Sequence, residues 1–127
     1  MKKLVHLSLG LFVGLLMACS GSDTYRGEWK ATDTKGTKTK ITFEAKSFML
    51  TDSLGKSKKF NYTQNSIKTE NGVETYGIVL EDGRKYEINF PKANNESQGI
   101  IKDENGKLIY AIGRKDYVSY EDVFGLK

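Results

Sequence analysis

The chain has 127 residues, with 20 Lys and Arg against 16 Asp and Glu and a formal charge of +4. Two of those bases, Lys2 and Lys3, and the single histidine, His6, precede residue 19, which leaves +2 and no basic run interleaved with aromatics, so no nucleic-acid partner is expected. The one cysteine, Cys19, excludes a disulfide framework, and the about 105 residues beyond it are enough for one domain with its own core.

The N-terminus has the pattern of an export signal. Lys2 and Lys3 form a positive start, and Leu4 to Met17 is an apolar run broken only by His6, Ser8 and glycines. That run is shorter than the ~20 residues needed to span a bilayer, which favours a cleaved segment over a permanent anchor. It ends in Leu16-Met17-Ala18-Cys19, which resembles the lipobox of bacterial lipoprotein precursors: an aliphatic residue, a permissive position, a small residue, then Cys. The resemblance implies a diacylglyceryl group on the Cys19 thiol and cleavage before it, so residues 1–18 are removed and residues 19–24 form a lipidated N-terminus and tether. A thiolate is the nucleophile that can take a lipid. Ser20, where an Asp would be associated with inner-membrane retention, implies the outer membrane of a Gram-negative cell, with the domain facing the periplasm or the outside. The membrane is then a partner through the lipid anchor.

Residues 25–127 read as a single β domain. Turn signals recur at "DTKGT" (33–37), "DSLGK" (52–56), "TQNS" (63–66), "ENG" (70–72), "EDG" (81–83), "PKANNE" (91–96) and "DENG" (103–106), with a weaker bend at "EAKS" (44–47). They divide the domain into about nine short segments whose large residues alternate. Ile41 and Phe43 share one parity, as do Phe60 and Tyr62, then Tyr76, Ile78 and Leu80, then Tyr86, Ile88 and Phe90, and finally Leu108, Tyr110 and Ile112. One face of each strand is therefore buried and the other wet. Successive tight hairpins favour pairing in chain order, and closure removes the edges. The expected fold is all-β, an up-and-down antiparallel meander closing into a small barrel of eight to ten strands. At the C-terminus Tyr117, Tyr120 and Phe124 fit a short helix capped by Asp116, or Val118 and Tyr120 extend a last strand.

The first segment contains Gly27-Glu28-Trp29, which resembles the G-x-W of the first strand in the calycin group of lipocalins, fatty-acid-binding proteins and avidins. The resemblance implies a lipocalin-like barrel in which Gly27 permits a sharp entry and Trp29 plugs one end. In lipocalins an Arg beyond the last strand lies across that Trp, a place that Arg114 occupies here.

Catalysis is not expected. Beyond Cys19 there is neither His nor Cys, so histidine acid–base chemistry, a thiol nucleophile and the usual zinc sets are absent, and neither metal nor cofactor is expected. The adjacent carboxylates Glu81-Asp82 and Asp103-Glu104 fall in turns, where they are ordinary solvated residues. The expected inward set includes Trp29, Phe48, Leu50, Ile67, Ile100 or Ile101 and four tyrosines, Tyr62, Tyr76, Tyr86 and Tyr110. A buried hydroxyl without a partner costs about 1–3 kcal/mol, so these four need rim water, one another or a ligand. Two readings follow: a non-catalytic barrel holding a small hydrophobic or amphipathic ligand against those tyrosines, or a solid barrel docking on an envelope protein or glycan through its outer face or aromatic tail.

Overall fold

A computed structural model describes residues 22–124; the expected signal segment and Cys19 lie outside them. Eight strands follow one another: β1 (Gly27–Asp33), β2 (Lys38–Phe43), β3 (Ser47–Thr51), β4 (Ser57–Glu70), β5 (Val73–Leu80), β6 (Lys85–Phe90), β7 (Gln98–Asp103) and β8 (Leu108–Gly113), then a short helix α1 (Tyr120–Phe124). Each strand pairs antiparallel with the next, and β1 pairs with β8 from Lys30↔Gly113 to Asp33↔Tyr110, closing an up-and-down barrel. The alternation noted in the sequence is kept around the wall. Trp29 faces Ile41, Ile41 faces Leu50, Phe43 faces Phe48, and Phe48 faces Phe60. Farther round, Tyr62 faces Leu80, Ile78 faces Tyr86, and Ile88 faces Ile101. Such same-face neighbours are the unit of sheet stabilisation, and here they line the interior.

The four hairpins β1–β2, β3–β4, β5–β6 and β7–β8 share one end of the barrel and one turn. Asp33, Asp52, Leu80 and Asp103 each accept a hydrogen bond from the N–H of a glycine three residues on, and each donates to the carbonyl four residues on. Those glycines, Gly36, Gly55, Gly83 and Gly106, have φ between +81° and +93°, the left-handed step that closes a three-residue hairpin loop. In the three Asp turns Oδ1 accepts two further backbone N–H groups, from Lys35 and Thr37, Leu54 and Lys56, or Asn105 and Lys107. The β5–β6 hairpin departs from this, with Leu80 in the place of the aspartate.

Four local expectations are corrected. "TQNS" is not a turn but a bulge between Gln64 and Ser66 inside a β4 of 14 residues. Its side chains press on Gly77, where an added Cβ would lie 2.3 Å from Ser66 Oγ, so the extra residue is absorbed by an absent side chain across the ladder. β3 pairs with β4 only as far as Asn61, so the rest of β4 has a neighbour on one side, and Ile67, expected inside, is 59 % exposed on this overhang. In β8 Ile101 faces Tyr110 while Lys102 faces Leu108, which makes Ile109 the extra residue and turns Leu108 to the outer face. There Leu108 joins Ile100, Ala111, Val118 and Val123 beneath α1. Of the two open alternatives, Ile101 is the inner residue and Ile100 the outer. Finally, the helix cap is Ser119 rather than Asp116: Ser119 Oγ accepts from Asp122 N–H and Ser119 N–H donates to Asp122 Oδ2.

Candidate functional site

The barrel has two ends of opposite character. The end formed by the β2–β3, β4–β5 and β6–β7 connections is closed by the residues just before β1. Ser22 to Thr24, expected as tether, fold instead into a 3-10 turn (Asp23–Tyr25) that carries Tyr25 into the interior, fully buried. Its ring packs 5.2 Å from both Phe43 and Tyr76 and 6.4 Å from Tyr62. The Tyr25 hydroxyl donates to Gln64 Oε1 at 2.6 Å, and that oxygen also accepts Ser22 N–H at 2.8 Å. Gly27, with φ +95°, makes the reversal into β1. Trp29 is fully buried and donates its indole N–H to the Tyr25 carbonyl at 2.8 Å. Arg114 stands over it, guanidinium carbon 3.7 Å from the ring centroid, and donates to the carbonyls of Thr24 and Glu28. Burial lowers the pKa of Arg114; the ring face and two carbonyls hold the cation that burial disfavours.

Tyr62 and Tyr76 belong to this closed end. Each is less than 5 % exposed, and each hydroxyl has a protein acceptor: Tyr62 donates to the Glu44 carbonyl at 2.5 Å and Tyr76 to the Glu74 carboxylate. Burial pushes both phenols above their ordinary pKa, reinforced for Tyr76 by the Glu74 carboxylate. The polar requirement that made them candidates for ligand contact is met within the chain.

Tyr86 and Tyr110 lie at the other end. They line a cavity of about 130 Å³ whose floor is Ile41, Phe43, Phe48, Leu50, Phe60, Ile78, Leu80 and Ile101, with Ile109 and Arg84 at its rim. The Tyr86 hydroxyl accepts from Arg84 Nη1 at 3.2 Å, which leaves its own proton undirected. Among the described residues no hydrogen bond engages the Tyr110 hydroxyl; its pKa is raised by burial first, then by the charge of Asp33 and by Tyr86. Arg84 is clamped by Asp82 through Nε at 2.9 Å and Nη2 at 2.8 Å, and its guanidinium carbon stands 5.4 Å from the Phe60 ring centroid. Lys58 Nζ lies 5.3 Å from the same ring, and Lys58 shares the inner face of its partner Leu50.

The expected set of four tyrosines is therefore split, two at each end, and only Tyr86 and Tyr110 border open space. Sequence reasoning missed the rim residues Arg84 and Ile109, and Lys58 beside Phe60. The available signal was the hairpin repeat, in which one turn carries the buried Leu80 in the place of Asp, four residues before Arg84. Among the described residues no group of three or more His, Cys, Asp or Glu could hold a metal, and no helix is long and apolar enough to cross a membrane. Comparisons with protein-family models, curated proteins and solved structures give no match, which leaves the geometry of the two ends as the guide to function.

Proposed function

We propose that this chain is a lipoprotein held on the outer membrane of a Gram-negative cell through Cys19, facing the periplasm or the outside, and that its lipocalin-like barrel binds a small hydrophobic or amphipathic molecule without catalysis. The observation that carries the binding reading is the cavity at the hairpin end, about 130 Å³ and apolar below a polar rim. An apolar cavity of this order, about 150 Å³, stays dry and takes up a molecule such as benzene, and apolar pockets with few convergent polar groups are the usual form of small-ligand sites. The anchor is supported by the sequence of residues 1–19, and the barrel by the closed meander.

Native mass spectrometry of the purified full chain, followed by solvent extraction, tests the binding reading. A reproducible adduct in the unaltered protein, lost when Leu50→Trp fills the cavity from its half-buried place in the cavity lining, is the expected result. A bare mass with no uptake from a lipid and metabolite mixture would sink it.

A second reading is favoured by a separate observation. Tyr120 and Phe124 are 41 % and 37 % exposed, with ring centroids 4.6 Å apart, on the outer face of α1. Nearby, Lys30 and Lys38 stand over Tyr117 at 5.8 Å and 5.2 Å. This aromatic face is where an envelope protein or glycan would dock, and replacing Tyr120 and Phe124 together by Ser would remove such binding while leaving the cavity untouched.

A further inference from the structure

The chemistry of the cavity rim narrows the ligand. Resting on the binding reading above, we infer that the occupant is a small carboxylate with a one-ring or short branched body, its apolar part in the cavity and its anionic group between Lys58, Arg84 and the hydroxyls of Tyr86 and Tyr110.

Three observations lead there. The first is size. About 130 Å³ matches a single aromatic ring and is well below the roughly 300–1,000 Å³ of pockets that enclose drug-sized ligands, so most of a long acyl chain would lie outside the open mouth.

The second is the direction of the unused hydrogen-bonding capacity. Tyr86 accepts from Arg84 and keeps its O–H, the Tyr110 O–H has no acceptor among the described residues, and Lys58 has no carboxylate within ion-pair distance among them. Each of these groups donates. The hydroxyls can also accept, but with the Lys58 ammonium beside Phe60 and the Arg84 guanidinium at the rim the unspent capacity is chiefly donating, and a carboxylate accepts at both oxygens.

The third concerns the competing acids. Asp33, Asp52 and Asp103 stand at the same end, and Asp33 lies directly across from Tyr110 in the β1–β8 register. Each has Oδ1 committed to two N–H groups of its own turn. Asp82 is committed to Arg84, holding that side chain over Phe60. The turns thus hold one oxygen of each rim carboxylate away from the hydroxyls; the charge of Asp33 still acts on Tyr110 and is what Lys58 and Arg84 have to outweigh for an incoming carboxylate.

The test compares two fluorinated probes of nearly equal shape, 4-fluorobenzoate and 4-fluorobenzyl alcohol. Fluorine NMR follows their binding to the full chain in phosphatidylcholine nanodiscs, with empty discs as the control for partition. The expected result is that the acid binds at least tenfold tighter than the alcohol, about 1.4 kcal/mol. Both Lys58→Met, which keeps the stem over Phe60, and Tyr110→Phe should shrink that ratio at least threefold without weakening the alcohol. Equal binding of the two probes, abolished by Leu50→Trp, would leave the cavity reading intact and overturn the carboxylate. Acid binding that survives Leu50→Trp would mark a surface charge effect and also overturn it. No protein-dependent broadening for either probe would overturn both readings together.

Discussion

The two ends of the barrel use the same residue type in the same inward position and obtain opposite results. At the closed end Tyr25, Tyr62 and Tyr76 are packed ring against ring, and their hydroxyls reach Gln64, the Glu44 carbonyl and Glu74. At the open end Tyr86 and Tyr110 stand on a similar apolar floor, yet one hydroxyl serves only as an acceptor and the other meets no partner among the described residues. The difference lies in what the chain supplies nearby rather than in the tyrosines. The closed end is reached by a folded-back segment that carries its own acceptors, whereas the open end is ringed by tight hairpins whose polar groups are turned onto themselves. A buried hydroxyl with a fixed acceptor rigidifies a core, and one without an acceptor is an opening for something else.

The comparison breaks most visibly at Trp29. Trp29→Ala removes the largest fully buried side chain and the surface on which Arg114 lies, so a loss of about 3–5 kcal/mol is expected in denaturant unfolding. The same measurement on Leu50→Ala, at the cavity edge, should give a clearly smaller loss, because the site is already partly empty.

Alkaline pH separates the phenols from other sources of stability. Tyr25, Tyr62 and Tyr76 all have pKa values raised by burial above the ordinary 10.0. Below pH ~10 both states keep these protons, so the stabilisation is complete there; above it the unfolded chain releases protons that the folded chain retains, and stability falls. Each such group adds up to about 1.4 kcal/mol of loss per pH unit until its own folded pKa is reached. Unfolding free energy measured from pH 9 to 11.5 should fall with this slope, and Tyr62→Phe should make the fall shallower. A flat profile would remove the burial argument.

A smaller contrast sharpens the comparison further. Tyr62→Phe strands the Glu44 carbonyl and should cost about 1–2 kcal/mol, while Tyr110→Phe should leave stability within about 0.5 kcal/mol, as judged by paired denaturant melts. Equal losses would mean that the two ends are not different in the way described. The smallest effect belongs to Lys58→Met, exposed and unpaired among the described residues, for which stability should not change measurably.

Most of the wall was legible in the sequence because alternation and tight turns are local properties. Tyr86, Ile88 and Phe90 sit on one face by parity alone, and "DSLGK" closes a hairpin through its own Asp and Gly. What parity does not carry is a shift of phase: the bulge at Gln64–Ser66 absorbs an apparent turn, and the extra residue at Ile109 turns Leu108 outward. Nor could the fate of the tyrosine hydroxyls be read, since the acceptor of Tyr62 lies 18 residues away on a main-chain carbonyl and that of Tyr25 lies 39 residues away. Arg114 and Trp29 were picked out as a pair by resemblance, and they are in contact; Tyr25, which supplies the indole acceptor, was read only as the first residue of the β domain. The lipid attachment proposed at Cys19 rests on the sequence alone.

One joint of the barrel differs from the other seven in kind. Every other pairing links strands that are neighbours in the chain, while β1 meets β8 across almost the whole domain, through the four pairs from Lys30↔Gly113 to Asp33↔Tyr110. Closing that gap carries the largest loop entropy in the molecule, so the amides of this seam are expected to exchange with solvent sooner than those of the hairpins, Arg114 being the brace that opposes this. The last pair of the seam contains Tyr110. A loosened seam therefore loosens the wall beside Tyr110 first, at the one strand pairing that local sequence did not provide.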